Sequence, residues 1–552
     1  MNQTNILRLL KFIDKVSMTI SRDGRSLDAD LIKYFGADSV VFKPGQKEII
    51  ESVLANNNTL GILPTGGGKS LCFQLPVYLG VKPTIVVSPL IALMLNQVES
   101  LNNGHVKSDY LNSMKTFAEQ DETIKRFINA QVDILYVSPE KLTDDFFVNG
   151  IVHHSKKKPI LFVIDEAHCI SDWGHDFRPD YLAIPSFLSH FDKKTVLALT
   201  ATASEKTRKE ISEILSIPNK SIFHKFDTYR ENLQLSVKTF SSKDDKDSYL
   251  ETILLDLEKP GLIYTSGREI SEKFSKYYAA KGYRASYYHA DLKNKDKETI
   301  IRKFINREID FVFCTNAFGM GIDIPFIRFV IHYRIPSSLD QYIQEIGRAG
   351  RDNKKSNCIL LFLNEDVGLQ KRLITSNIPK HDEVAKYAED LLDTFRKDGI
   401  KKLTKYSGDV KEVLVAKQLI ANGHLSVIGD LINEIEISNQ TGMPLDKYSI
   451  KDDSIIIRQT AKINDVEEKQ ILEELYNMHF ANKISIISRS DIHTGYRIIN
   501  QQISDDTIEK IDKHFNRLKD YKNSKLQEIV EYASINDIAE RRKTINEYFK
   551  LR

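Results

Sequence analysis

Two adjacent carboxylates, Asp165 and Glu166, follow the apolar run from Leu161 to Ile164. A carboxylate pair at the end of a buried strand suits phosphoryl transfer: one holds the hydration shell of Mg²⁺ and the next orients an attacking water. The residues after them add a second kind of chemistry. His168, the chain's only tryptophan Trp173, His175, Asp176, Phe177 and Arg178 offer stacking faces and cationic donors suited to unpaired bases. Upstream, positions 60–70 read LGILPTGGGKS. A strand that runs into glycines and then into a helix beginning near Lys69 forms an anion nest from backbone N–H groups. Thr65, Gly66, Gly67 and Gly68 would then cradle phosphates, Lys69 would reach the β- and γ-phosphates, and Ser70 would offer its hydroxyl to Mg²⁺. The strict pattern has glycine at position 63, where Leu63 stands. Positions 341–352 read QYIQEIGRAGRD, with Arg348 and Arg351 three apart. On a helix their guanidinium groups would share one face, as fingers on a γ-phosphate require. A glycine-rich turn, a solvated strand end or surface salt bridges would explain each motif alone, but not all of them in one chain. Together they point to nucleotide hydrolysis coupled to nucleic acid.

These groups need a scaffold, and 552 residues are enough for about three to four domains. Hydrophobic residues make up 41% and charged residues 28%, which excludes a largely disordered chain. The net charge is only +2, so any nucleic-acid surface must be a local groove rather than a basic whole. Cys72, Cys169, Cys314 and Cys358 lie far apart without a CxxC pair, so neither a disulfide framework nor a cysteine zinc site is expected, and the compartment reads as reducing and cytoplasmic. From Met1 to Ile20, Arg8, Lys11 and Lys15 interrupt the apolar positions, which suggests a short amphipathic helix rather than a signal peptide. No apolar run reaches the roughly 18 residues needed to cross a bilayer.

Short Val/Ile/Leu-rich runs, Thr84 to Val87, Ile134 to Val137, Leu161 to Ile164 and Val196 to Leu199, alternate with longer helical patterns, as buried parallel strands do. The rhythm returns at Gly261 to Tyr264, Ala285 to Tyr288, Phe311 to Cys314, Phe329 to Tyr333 and Cys358 to Leu363. The fold class is therefore α/β, with two tandem parallel-sheet lobes followed by a helix-rich C-terminal region. The expected division is an N-terminal helix over 1–25, lobes over 26–224 and 225–378, an accessory region over 379–503 and a helical hairpin over 504–552. Within the accessory region the lysine-dense stretch from Arg396 to Lys405 suggests an exposed connection. Asp465 to His479 reads as a helix, and Lys483 to Ser488 and Tyr496 to Ile499 as strands, a pattern that a winged-helix-like module would fit.

With these residues in view, the chain resembles the RecQ family of superfamily 2 DNA helicases, whose lobes are RecA-like. Phe42-Lys43-Pro44-Gly45-Gln46 is similar to the family's adenine-reading motif, with Lys43 where arginine is usual. LPTGGGKS resembles motif I, Val86 to Met94 motif Ia, Tyr136 to Leu142 motif Ib, and Asp165 to Tyr181 motif II with its aromatic-rich loop. Leu199 to Ala203 resembles motif III, Ile263 to Arg268 motif IV, Tyr288 to Leu292 the element after it, Thr315 to Pro325 motif V, and 341–352 motif VI. The match runs in order from about Leu31 to Leu363.

The resemblance implies catalytic roles for Lys69, Asp165, Glu166, Gln344, Arg348 and Arg351. It implies ATP contacts from Lys43, Gln46, the 65–70 loop and Asp323, with Mg²⁺ held through Ser70 and Asp165. His168, Trp173, His175, Asp176, Phe177, Arg178, Thr200 and Thr202 would couple hydrolysis to DNA. Ser88, Pro89, Ser138, Pro139, Ser266, Arg268, Thr315 and Phe318 would contact the DNA. The implied activity is 3′-to-5′ translocation on single-stranded DNA with duplex unwinding. Positions 541–549 resemble the helical hairpin ahead of the family's zinc ligands, yet Glu540 stands where a ligand cysteine would be. No zinc is therefore expected, which leaves open a DNA-stimulated translocase that needs a protein partner to unwind. A non-catalytic scaffold fits poorly with an intact set of catalytic residues.

Overall fold

Strands covered on both faces must be apolar throughout, and the β-branched and aromatic runs of this chain meet that demand. A computed structural model describes residues 26–36, 41–64, 66–89, 91–102, 106–171, 178–223, 230–265, 267–318, 324–398, 401–403, 410–439, 450–451, 454–458, 465–498 and 503–550. The N-terminal helix expected over 1–25 lies outside them. The first seven strands are β1 (Thr59–Ile62), β2 (Thr84–Val87), β3 (Ser108–Leu111), β4 (Ile134–Val137), β5 (Leu161–Ile164), β6 (Thr195–Thr200) and β7 (Ile222–Phe223). They form one parallel sheet in the order β3-β4-β2-β5-β6-β1-β7. Alternate residues of β6 enter different cores, Val196 and Ala198 on one face and Leu197 and Leu199 on the other. This order brings the carboxyl ends of β5, β6 and β1 side by side, where ligands of such sheets bind.

The second lobe repeats the plan. Strands β8 (Leu233–Phe240), β9 (Gly261–Tyr264), β10 (Ala285–Tyr288), β11 (Phe311–Cys314), β12 (Phe329–His332) and β13 (Ser356–Leu363) lie parallel in the order β10-β11-β9-β12-β13-β8. Both faces are again covered, by two separate apolar clusters. The architecture is thus two RecA-like lobes followed by a helix-rich region.

That region also holds a five-stranded antiparallel sheet, with strands β14 (Lys401–Leu403), β15 (Leu425–Asn439), β16 (Ile450–Lys451), β17 (Ser454–Arg458) and β18 (Ile484–Ile498). The segments from Lys483 and from Tyr496, expected as two strands of a wing, are parts of the single strand β18. It pairs with β15 over its whole length, from Leu425↔Ile498 to Asn439↔Ile484. The cause is a partner that lies before the helix Asp465–Phe480 in sequence, so no local pattern announces the pairing. Of the lysine-dense stretch, the helix His381–Asp398 covers the start, and Lys401 and Lys402 lie on the edge strand β14. Lysines on an edge strand discourage pairing with other chains.

The region touches both lobes. Leu472, Leu475, Tyr476, Phe480, Ile484 and Ile486 join the core of the first lobe, while Leu414, Leu419, Ile511, Phe515, Leu526 and Ile529 join that of the second. The two final helices, Asp505–Ser534 and Ile538–Lys550, reach the motif-bearing segments of both. Tyr521 Oη lies 2.7 Å from Ser204 Oγ just after motif III, Tyr532 packs 5.3 Å from the Tyr342 ring of motif VI, and Tyr548 donates to Asp340 Oδ2 at 2.5 Å.

Candidate active site

The phosphate loop leaves β1 through Leu63 and Pro64 and turns on glycines in the left-handed region, Gly66 at φ +79° and Gly68 at +73°. Gly67 N donates to Pro64 O at 2.7 Å, and a Cβ at Gly67 would lie 2.8 Å from that same oxygen. Only glycine allows this curl. The helix that follows runs Leu71–Tyr78 with Ser70 as its N-cap residue, so Lys69 and Ser70 sit in the turn before it rather than in its first turn. Lys43 and Gln46, both expected on the adenine, bond to the loop. Lys43 Nζ donates to Gly66 O at 2.6 Å, and Gln46 Nε2 donates to Gly67 O at 3.1 Å and Gly68 O at 2.9 Å. Gln46 Oε1 accepts from Lys43 N at 2.7 Å, which ties the two together.

The carboxylates stand at the end of β5. Asp165 Oδ2 accepts from Ser88 Oγ at 3.2 Å, Asp165 Oδ1 accepts from Glu166 N at 3.0 Å, and Tyr181 Oη donates to Asp165 O at 2.8 Å. Glu166 takes a left-handed backbone, φ +47°, a conformation that costs a non-glycine residue of order 1–3 kcal/mol and gathers at functional sites. That turn aims its side chain at the phosphate loop, where Lys69 Nζ lies 3.3 Å from Glu166 Oε1. Burial, then the neighbouring Glu166 charge, push the Asp165 carboxyl up to about 6, while Lys69 opposes the rise. A raised carboxylate beside a second one is the electrostatic signature of a site suited to a cation. Glu166 Oε2 is buried, and its polar neighbour is the His168 ring at ion-pair distance, 3.4 Å, rather than a hydrogen-bond donor. With the Ser70 hydroxyl nearby in the loop, this oxygen-rich donor set fits Mg²⁺, which binds through few protein oxygens and keeps several waters.

A polar relay runs from this pair to motif III. His168 is fully buried; its Nδ1 lies 3.4 Å from Glu166 Oε2 and 2.9 Å from Thr200 Oγ1. The Thr200 hydroxyl donates its single proton to Thr202 O at 3.0 Å, so His168 must carry a proton on Nδ1 to bond to Thr200. Lys69, Glu166, His168, Thr200 and Thr202 are thereby one connected set. Arg178, at the end of the aromatic-rich loop, reaches Pro89 O at 3.5 Å.

In the second lobe the arginines depart from expectation. The helix Leu339–Ile346 ends at Gly347, and Arg348 and Arg351 lie in the tight turns after it, not on one helical face. The cause is tertiary. Arg230 donates to Gly347 O at 3.3 Å, to Ala349 O at 3.0 Å and also to Gly350 O, while Asn232 Nδ2 donates to Gly350 O and Lys354 O, each at 2.8 Å. Gly350 takes a left-handed backbone, φ +55°, and its N–H donates to Ile327 O at 2.8 Å rather than back into the helix, so the helix cannot continue. Gln344 is buried within the helix, Arg348 is buried, and Arg351 is half-buried. Arg348 neighbours Tyr264, whose hydroxyl is pushed far up by burial and drawn back by the arginine. Tyr264 Oη donates to Phe318 O at 3.0 Å, joining motif IV to motif V.

Several expected DNA contacts turn inward. Ser88, Ser138, Pro139 and Phe318 are buried, and Ser88 holds Asp165 instead of facing a groove. Pro89 and Thr315 are half-buried, and Arg268 is exposed and paired with Asp291. Thr65, Trp173, His175, Asp176, Phe177, Ser266 and Asp323 lie outside the described residues. The pairing of Lys43 and Gln46 with the glycine carbonyls and the hold of Arg230 and Asn232 on the arginine turn were not read from sequence, because each joins segments more than twenty residues apart.

All four cysteines are buried and none forms a disulfide. Among the described residues no cluster of three or more His, Cys, Asp or Glu could hold a metal ion, and no helix is long and apolar enough to cross a membrane.

Comparison with known proteins places these groups in context. The DEAD/DEAH box helicase family model matches residues 43–211, and that of the helicase conserved C-terminal domain matches 245–353. The probable ATP-dependent DNA helicase RecS of Bacillus subtilis is 38% identical over 375 residues, covering 67% of this chain and 74% of that protein. The ATP-dependent DNA helicase RecQ of Pasteurella multocida is 39% identical over 332 residues, 59% of this chain and 51% of the relative, so the chain spans about half of that longer protein. Among solved structures, the fold is shared with Mycobacterium smegmatis helicase Lhr bound to ssDNA and AMP-PNP, at 16% identity and a TM-score of 0.51 over 63% of this chain and 50% of that one. It is shared also with the DUF1998 helicase MrfA bound to DNA, at 18% identity and a TM-score of 0.51 over 63% and 51%.

Proposed function

This chain belongs to the RecQ family of ATP-dependent DNA helicases, and we propose that it hydrolyses ATP on single-stranded DNA, moves 3′ to 5′ and separates duplex strands. The observation that carries this reading is the connected set from Lys69 through Glu166 and His168 to Thr200, which joins a phosphate loop to the motif that answers to DNA in the family. Mg²⁺, held through Ser70 and Asp165, would neutralise charge on the β- and γ-phosphates. Lys69 exchanges its contact with Glu166 for the phosphates, which frees Glu166 to orient and deprotonate the attacking water. Arg348 and Arg351 from the second lobe stabilise charge on the transferring phosphoryl group once the cleft closes. Movement of the His168–Thr200 contact then reports the nucleotide state to the DNA surface.

On that surface, the half-buried Pro89 and Thr315 and the exposed Arg268, once it leaves Asp291, would meet the DNA, whereas the buried Ser88 and Ser138, whose N–H groups bond to Val137 O and Leu111 O, would support the surface from within. Contacts to phosphate and sugar grip without reading sequence. The cytoplasm, on the nucleoid if the source is bacterial, is the matching location, and a protein partner could add a duplex-engaging surface.

ATP turnover with and without single-stranded DNA, alongside unwinding of a 3′-tailed duplex and with Lys69→Ala as blank, tests the proposal. Stimulated turnover with unwinding supports it in full. Stimulation without unwinding makes the chain a translocase awaiting a partner, and no turnover overturns it. Trp173→Ala is expected to keep ATP binding and basal hydrolysis while losing stimulation by DNA. Unchanged stimulation in that variant would remove the loop from the coupling route.

A further inference from the structure

We infer that Arg230 is a positioning residue for ATP hydrolysis, shaping the turn that presents Arg348 and Arg351 to the nucleotide. The inference rests on the ATPase reading above but concerns a residue outside every motif that supports it. Arg230 enters the second lobe just ahead of β8, over a hundred residues before the turn in sequence. Its guanidinium donates to the carbonyls of Gly347, Ala349 and Gly350. A planar fork that bridges three carbonyls of one short segment fixes its curvature, which a lysine, a point charge on a flexible stem, cannot do.

The rest of the turn is built to the same end. Gly350 sits at φ +55°, and a Cβ there would lie 2.5 Å from Asn232 Nδ2, 2.6 Å from Ser356 Oγ and 2.7 Å from Lys354 O. Gly350 N donates to Ile327 O at 2.8 Å, and Ala349 is fully buried, so the turn is held on three sides. Arg348 and Arg351 leave this turn from a backbone whose course is set in part by the carbonyls that Arg230 holds.

Charge separates this arrangement from ordinary structural pinning. Arg230's hydrogen bonds among the described residues go to carbonyls, not to a carboxylate. Burial and the nearby Arg351 charge both push the Arg230 guanidinium below its ordinary range. A neutral donor could brace a turn without meeting that repulsion. A cation there repels the Arg351 guanidinium, a repulsion that the neighbouring Asp352 carboxylate offsets in part and that a bound polyphosphate would relieve.

The test uses the full chain and the variants Arg230→Ala and Arg230→Lys, with Arg351→Ala as the reference. Fluorescent mant-ADP is titrated with and without aluminium fluoride in the presence of Mg²⁺ and an oligo(dT), and ATP turnover is measured in parallel. The expected result for Arg230→Ala is a kcat lower by about 100-fold, the size of effect that a misplacement of about 1 Å can have. Its KM for ATP, mant-ADP affinity and melting temperature should stay near those of the parent. The tightening of mant-ADP by aluminium fluoride, which mimics the transferring phosphoryl group, should be lost as in Arg351→Ala, and Arg230→Lys should recover little of it. A tightening in Arg230→Ala equal to the parent's overturns the inference. So does a joint fall of mant-ADP affinity and melting temperature, the mark of a merely structural role. Parent protein that tightens on mant-ADP with fluoride but fails to turn over ATP on DNA would count against the proposed function and leave the Arg230 comparison intact.

Discussion

Arg351→Ala should lower the kcat of DNA-stimulated ATP hydrolysis by about 10³-fold or more, the range found when an arginine finger is missing from a phosphoryl-transfer site. The affinity for ADP should barely move, because the guanidinium is needed where charge develops in the transition state rather than where the ground state binds. The turn that carries Arg351 lies beyond the end of the helix Leu339–Ile346 and is braced by Arg230 and Asn232. These backbone bonds do not involve the Arg351 side chain, so they persist in Arg351→Ala. Arg348 differs in being buried beside Tyr264, whose hydroxyl reaches Phe318 O. Its removal should disturb motifs IV and V as well, so Arg348→Ala should lower stability along with kcat. Arg351→Lys should recover only part of the rate, since one ammonium cannot supply the paired donors of a guanidinium. Stopped-flow release of phosphate, with thermal unfolding as a control, separates the outcomes. A turnover in Arg351→Ala within a few-fold of the parent would show that this side chain makes no contact with the transferring group.

What the sequence disclosed follows from what local pattern can encode. β2, β4, β5, β9 and β11 begin and end where their apolar runs do, because a strand buried on both faces has no polar position to blur its limits. The glycine loop was legible for a similar reason, since its curl needs glycine at Gly66 and Gly68 whatever surrounds it. The arginine turn was not, because a spacing of three fits a helix, and what ends the helix is a left-handed Gly350 whose N–H goes to Ile327 O on a distant segment. Ser88 lies at the end of β2, where alternation gives no direction to its side chain; it turns to Asp165 because a buried carboxylate needs donors. The pairing of β15 with β18 was hidden for the same reason as the arginine turn. Its partners, Leu425 and Ile498 among them, stand far apart in sequence and are separated by a helix.

Asp144→Asn should loosen the hold of the accessory region on the first lobe by about 3–5 kcal/mol, the cost of leaving one member of a buried ion pair without its partner. Arg489 Nη1 lies 2.9 Å from Asp144 Oδ1 and Nη2 lies 3.1 Å from Oδ2, a two-pronged pair whose side chains are 2% and 6% exposed. The guanidinium also lies 4.7 Å from the Phe146 ring, 5.1 Å from Phe117 and 5.9 Å from Tyr476, so removing the carboxylate strands a cation among aromatic faces. Asp144 has further duties, capping the helix Asp145–His154 through Phe146 N at 3.1 Å and pairing with Lys141 at 3.0 Å. Asparagine retains a side-chain oxygen for the cap, so the effect read is mainly the lost charge. Because the unit 465–489 docks on the first lobe while the core contacts of the helix Asp505–Ser534 are to the second, with Tyr521 reaching Ser204 of the first, the loss should open mainly the former. Hydrogen exchange should quicken over 465–489 by about 10²–10⁴-fold with little change in the lobe cores, which the same free energy requires if exchange reports local opening. The double variant Asp144→Asn with Arg489→Met should recover much of the protection, since an apolar side chain suits the aromatic box once both charges are gone. Exchange over that segment unchanged in Asp144→Asn would show that the apolar contacts of Tyr476 and Phe480 hold the docking without the ion pair. Quickening that spreads into the second lobe would instead mean that the accessory region opens as one unit and ties the two lobes together.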